Sequence, residues 1–261
     1  MKTRIEPQLR HNKELGIRYE FKEMDHMKFL KKLDTNIWIS DGDAVSWYGM
    51  PYTTRMTIVK LRDERLWVHS PGKIIDEMMN EVKSLGQVSY LVSPNKIHHL
   101  FINDWINIFP NAISYSSPGL RDKRKDISFD KDLSDSPEKE WEEEIDQIIF
   151  KGSSVMEEVV FFHKKSETLI LTDLIENFHP DYFSGYKKIL AKITGIVSPN
   201  GKTPIDWRAS FIFGKKEARK SLLKILSWKP KKIVISHGEC IYSNATEFIL
   251  KSFKWVGLTK D

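Results

Sequence analysis

The chain has 261 residues, 40% hydrophobic and 30% charged, with 41 Lys and Arg against 36 Asp and Glu and a formal charge of +5. These proportions fit an ordinary soluble globular protein, and no apolar run approaches the roughly 20 residues of a membrane-spanning helix. A lone cysteine, Cys240, rules out an internal disulfide and suits a reducing compartment.

The opening, Met1-Lys-Thr-Arg-Ile-Glu-Pro7, lacks the apolar core of a secretory signal, so cytoplasm is the expected location. Residues 1–35 read as a mixed-charge peripheral extension and 36–261 as one domain. Strands are expected at Ile37–Ile39 and Thr53–Leu61. A tight turn at Arg62-Asp63 then leads into Arg65–His69, completing a hairpin. Ser70-Pro71-Gly72 predicts a helix start, with Ser70 as cap and Ile75, Met78, Met79, Val82 and Leu85 on one face before Gly86. The apolar run Gln87–Ser93 follows as a strand.

Residues 117–145 carry the least strand character and are expected to form a surface excursion, partly helical over Pro137–Ile145. Strands resume at Ile148–Phe150, Glu158–Phe162 and Thr168–Thr172. A helix over Tyr182–Ile193, a strand at Gly195–Ser198, a helix over Lys215–Trp228, a strand at Ile233–Ser236 and a helix over Asn244–Phe253 complete the chain. Val-Ser-Pro-Asn occurs at 92–95 and again at 197–200, each time leaving a strand through a proline-restricted turn.

Charge is unevenly spread. Ten acids lie between Asp126 and Asp146 against Lys131 and Lys139, and thirteen Lys or Arg lie between Lys187 and Lys232 against Asp206 and Glu217. Such polarity can steer an anionic substrate or a nucleic acid, or simply solvate a surface. There is no zinc finger, RNP-type aromatic sequence or basic zipper, so nothing specific argues for a nucleic-acid partner.

The chemistry-bearing residues stand just past strands. His98 and His99 follow Gln87–Ser93, Asp173 ends Thr168–Asp173, and His237 ends Lys232–His237. Strand ends converge at one rim of a layered α/β fold, where sites are commonly built, so three imidazoles and a carboxylate there make a candidate divalent-metal site. Gly-x-Ser-x-Gly, P-loop and dinucleotide-loop motifs are absent.

The order of elements, with Ser93-Pro-Asn-Lys-Ile-His-His99, Phe162–Asp173 and Ile235-Ser-His-Gly238, resembles the metallo-β-lactamase fold. It is most similar to a branch of uncharacterised proteins with Pro-Asn-x-x-His-His in place of the usual metal motif. The resemblance covers about residues 36–256 and implies an α/β fold, a four-layer αββα sandwich with the site at one edge. Active members carry Thr-His-x-His-x-Asp-His after the equivalent strand. Its two leading His fall on Pro94 and Lys96, its Asp on His98 and its last His on His99. A later His has no counterpart near Ser153-Ser154. Asp173 matches the family's bridging aspartate and His237 its final histidine. The resemblance therefore implies loss of the first metal site, with one divalent ion, Zn, Fe or Mn, held by His98, His99, Asp173 and His237.

Asp173 would also orient an attacking water. Asn95, Lys96, Glu158, His163 and His69 are expected around the ligands, with His163 and His69 equally readable as core histidines. Lys96 can meet an anionic or small-molecule substrate, His179 is a spare ligand, and Cys240 is expected to be buried and inert. The leading expectation is a metal-dependent hydrolase-like protein. The alternatives are a non-catalytic fold member serving ligand binding or protein contact, and a non-haem iron redox protein. Oligomeric state is left open.

Overall fold

The computed structural model describes residues 27–258, so the extension expected over residues 1–35 lies outside the described residues up to position 26. From Met27 onward the chain already belongs to the body, with Leu30 buried and the Glu81 carboxylate accepting hydrogen bonds from the backbone of Lys28, Phe29 and Leu30.

Among the described residues the first sheet has seven strands in sequence order: β1 (Lys31–Asp34), β2 (Ile37–Trp47), β3 (Met50–Lys60), β4 (Arg65–His69), β5 (Gln87–Val92), β6 (Ile113–Ser116) and β7 (Lys131–Asp132). The first four pair antiparallel and the rest parallel. Helix α1 (Asp76–Leu85) makes the crossover from β4 to β5, α2 (Ile102–Ile108) that from β5 to β6, and α3 (Leu120–Lys123) follows β6. The second sheet is ordered β11-β10-β9-β8, from β8 (Ile145–Phe150), β9 (Glu158–His163), β10 (Thr168–Ile170) and β11 (Lys232–Val234). It is covered by α5 (Ile205–Ala209), α6 (Lys215–Ser227) and α7 (Ala245–Ser252), while α4 (Gly185–Thr194) lies before them in the chain.

Strand periodicity sorts side chains into layers. On β4, Leu66 and Val68 face α1 and α2 in a cluster with Met78, Val82 and Trp105. Trp67, between them in sequence, faces the second sheet with Tyr90, Trp141, Val159 and Phe161. On the outer face of the second sheet, Val160, Leu169 and Ile233 pack on Trp207, Leu222 and Ile249. Three apolar interfaces between four layers give the αββα order, as the sequence resemblance implies.

Several local expectations differ from the structure. The helix expected to open at Ser70 starts at Asp76 and has no side-chain cap; Ser70 has a positive φ of 50° and its hydroxyl serves another purpose. Gly195–Ser198 is not a strand, making only an isolated bridge from Val197 to Phe178. Pro137–Ile145 is a run of turns into β8 rather than a helix. The stretch 117–145 is no surface excursion: Leu120, Ile127, Phe129, Leu133 and Trp141 are buried, and β7 extends the first sheet. Its charged side chains point out while widely spaced apolar ones anchor it, a spacing that matches neither helix nor strand.

Trp141 sits between Tyr90 and Tyr115 at ring separations of 5.4 and 4.8 Å. Replacing it with Ala should cost about 3–5 kcal/mol in urea unfolding, where an excursion residue would cost almost nothing.

Candidate metal centre

The carboxyl ends of β4, β5, β10 and β11 share one rim, and each hands a polar side chain to it. His98 lies in the turn after β5, Asp173 after β10 and His237 after β11. Asp173 Oδ1 stands 3.0 Å from His237 Nε2 and Oδ2 stands 3.1 Å from His98 Nε2. The two Nε2 atoms are 3.2 Å apart. Among the described residues this is the one convergent group of three or more His, Cys, Asp or Glu ligand atoms.

The outward nitrogen of each ring is committed. His237 Nδ1 donates to the Thr53 carbonyl at 2.7 Å, so a neutral ring keeps its lone pair on Nε2. His98 Nδ1 meets the Ser70 hydroxyl, also at 2.7 Å. Tyr52 packs edge-on to His237 at 5.1 Å. Gly238 makes the turn possible: its φ is +99°, and a Cβ there would lie 2.3 Å from the Asn177 carbonyl, which accepts from the Glu239 amide.

Asn95 joins the two halves of the site. Its Oδ1 accepts from the backbone of Ile97 and His98, folding the Pro94–His98 turn, while its Nδ2 donates to Asp173 Oδ2 at 2.6 Å, Thr172 Oγ1 at 2.8 Å and Glu158 Oε2 at 3.0 Å. Fully buried Glu158 accepts from the backbone amides of Thr172, Asp173 and Leu174, which fixes the segment bearing Asp173. Burial and then the charge of Asp173 push the Glu158 carboxyl up. Burial also opposes ionisation of Asp173, but His98 and His237 outweigh it and hold that carboxyl far below the usual range. Burial pulls His237 down, but Asp173, Glu176 and the Thr53 carbonyl together push it above the ordinary value.

Of the four expected ligands, three meet. His99 does not join them: it is buried the other way, its Nδ1 accepting from Arg124 Nη1 at 2.7 Å, and burial with Lys123 and Arg124 lowers it to about 4. Consecutive side chains in this turn diverge. Lys96 also turns away, its stem against Gly119 and its Nζ 3.5 Å from the Val155 carbonyl. His163 sits at the opposite end of β9 from Glu158, roughly 16 Å of extended chain away, bonded to Ser166. His69 is buried between Trp67 and Phe161 with neither nitrogen hydrogen-bonded. His179 is exposed and accepts from the Asp181 amide. Cys240, expected to be buried, is half-buried, 3.1 Å from Arg55 Nη1, and burial raises its thiol.

Sequence reasoning missed Ser70 as the partner of His98, and Tyr52 and Glu176 beside His237. Glu176 is three residues past Asp173; burial pushes its carboxyl up to about 8. One Glu176 oxygen has no hydrogen-bond partner.

The donor set suits a cation. Two Nε2 lone pairs and a carboxylate facing one another repel unless a proton or a metal ion lies among them. Ligands at about 2.0–2.1 Å from one zinc ion in a four-coordinate shell stand roughly 3.3 Å apart, close to the spacings found here. Their outward atoms are held by hydroxyl, carbonyl and amide groups, as metal ligands usually require.

A family model described as "Domain of unknown function (DUF4336)" matches residues 35–183, more than half of the chain. The chain belongs to the DUF4336 family. That match spans Asn95, His98, Glu158 and Asp173, and stops short of His237. No curated protein matches the chain. Among solved structures, this DUF4336 protein is similar to a metallo-β-lactamase from Pontibacter korlensis, with a TM-score of 0.61 and 11% identity over 88% of this chain and 99% of that one. It is also similar to the DIM-1 metallo-β-lactamase (0.60, 12%, 86% and 95%) and to FIM-1 from Pseudomonas aeruginosa in its mono-zinc form (0.59, 8%, 87% and 93%). At these identities the likeness is one of fold: the DUF4336 chain has the metallo-β-lactamase architecture.

Burial keeps His69 neutral down to about 3 and His163, like His99, down to about 4. Their folded values lie below the ordinary 6.5, so the stability they contribute is full above that pH and lost as pH falls. Urea titrations should show stability dropping from pH 6.5 toward 4, by about 1.4 kcal/mol per pH unit for each such histidine. His163→Gln, remote from the His98–Asp173–His237 cluster, should make that slope shallower.

Proposed function

We propose that this protein is a metal-dependent hydrolase-like enzyme that holds one divalent cation through His98, Asp173 and His237. The observation carrying this reading is the meeting of two Nε2 atoms and a carboxylate at 3.0–3.2 Å, with their outward atoms already committed. A cation bound there would lower the pKa of a coordinated water toward about 7 and polarise a substrate oxygen.

The protein's own groups have separate tasks. Ser70 and the Thr53 carbonyl keep both imidazoles facing inward. Asn95 holds the His98 turn against Asp173, and Glu158 anchors the Asp173 backbone without facing the ligands itself. Glu176 is buried three residues past Asp173, with its carboxyl pushed up by burial and one oxygen unpartnered. His99 is assigned to the scaffold with Arg124, outside the ligand set.

A second reading rests on the donor set itself. Two histidines and one carboxylate also suit ferrous iron in redox sites. Manganese and zinc are compatible with the same donors, so the metal separates hydrolysis from redox chemistry. A small-molecule substrate with an ester, amide or phosphoryl oxygen fits the hydrolytic reading.

Elemental analysis of protein purified without chelator should find about one equivalent of metal. His98→Ala, Asp173→Asn and His237→Ala should each abolish it, while His99→Ala should retain it. Asn95→Ala should weaken binding by about 10–100-fold in competition with a chelator. Metal-free protein whose unfolding ignores both zinc and chelator would leave a buried aspartate–imidazole hydrogen-bond cluster in a non-catalytic fold. Stoichiometric iron with a redox response would favour the second reading.

A further inference from the structure

Helix α4 is turned inside out. Its apolar residues Tyr186, Ile189, Leu190 and Ile193 fall at i, i+3, i+4 and i+7, the spacing of a single helical stripe. A surface helix normally buries such a stripe, yet these four are 68%, 61%, 45% and 64% exposed. The buried residue of the helix is Ala191, on the opposite side, and Lys187 and Lys188 are less exposed than the isoleucines. At 100° per residue the stripe spans an arc of about 100°, with Lys187 flanking one edge and Lys192 the other.

Segments that pack beside α4 carry further exposed apolar side chains. Phe183, Ala191 and Ile196, which seat α4, pack with Phe178 against Met50 and Tyr52 at the start of β3. The hairpin tip just before Met50 is itself apolar and open, with Trp47 half-exposed and Tyr48 92% exposed, their rings 5.1 Å apart. At the other end of α4, the Thr194 carbonyl accepts from Arg208 of α5. The turn after α5 carries Ile212 and fully exposed Phe213, followed by Lys215 and Lys216.

We propose that α4 and the Trp47–Tyr48 tip form a surface that lays this protein reversibly on an anionic phospholipid bilayer. An exposed apolar helical stripe flanked by lysines is the pattern of interfacial helices, whose apolar side chains enter the acyl boundary while the ammonium groups reach lipid phosphates. Tyr and Trp prefer that boundary for the same amphipathic reason. Charge decides against a second copy as occupant. A two-fold interface sets a patch against itself, and α4 carries three lysines and no acid, so lysines would meet lysines. Only Lys188 has a local counter-ion, Asp181 at 2.8 Å, among the described residues. The surface lies on a helix too short to span, in keeping with the lack of any membrane-crossing helix among the described residues.

Co-sedimentation with vesicles tests this on the full chain. Wild-type protein should pellet with vesicles of phosphatidylcholine and phosphatidylglycerol, less so at high salt, and weakly or not at all with phosphatidylcholine alone. Ile189→Asp with Ile193→Asp should reduce partitioning by at least about tenfold. Lys187→Glu with Lys192→Glu should reduce it by roughly fivefold per lysine on the anionic vesicles only. Ile189, Lys192 and Ile193 are exposed and Lys187 half-exposed, so circular dichroism and melting temperature should stay close to wild type. Wild-type protein left in the supernatant with anionic vesicles would overturn the proposal, as would pelleting unchanged by the isoleucine pair. A dimer in analytical ultracentrifugation that those substitutions dissociate, without vesicle binding, would assign the stripe to a second copy instead.

Discussion

Two carboxylates buried side by side, Glu158 and Asp173, set the terms for everything at this rim. Glu158 is sealed from solvent and Asp173 nearly so, so each needs donors from the protein, and burial of an unpaired charge would cost several kcal/mol. The chain supplies three consecutive backbone amides to Glu158 and the Asn95 amide to both. Asn95 can do so only because its carbonyl oxygen is occupied by the amides of Ile97 and His98. One asparagine thus couples the turn that carries His98 to the strand end that carries Asp173. Loss of either side would leave an acceptor or a donor stranded in the interior.

The assembly of sheets explains why such a knot is possible. Parallel and antiparallel strands end together at the rim, so residues distant in number arrive at one point with little backbone left to place them. Aromatic packing behind them, chiefly Trp67 and Phe161 at 4.9 Å, keeps the two sheets in fixed relation. His69 lies in that wall rather than in the site, and a hydrophobic setting makes its neutral form the stable one.

Much of this was legible from residues alone, and the gaps have physical causes. His98, Asp173 and His237 could be found because each follows an apolar run, and a strand end has a predictable place in a layered fold. The fourth ligand, expected to be His99, was misassigned. Two adjacent histidines look equivalent in a string of letters, while a turn sends their side chains in different directions, and Arg124 captures His99. Ser70 carried a signal that had two meanings, helix cap or imidazole partner, and the positive φ that decides between them is not visible in composition. The segment around Trp141 was misread because its charges outnumber its anchors. Helix α4 was recognisable as a helix by its spacing, but which side of it faces the body is fixed by Phe183 and Ile196, outside the helix itself.

The site's donors do not come from one layer. His98 hangs from the seven-stranded sheet, whereas Asp173 and His237 belong to the four-stranded one, and Arg55 and Thr53 of β3 already reach across to the backbone of Ser236 and Gly238. A guest gripped by all three side chains would act as a rivet through both leaves of the sandwich. Occupancy and cohesion then become one equilibrium, and prying the leaves apart would require first emptying the joint.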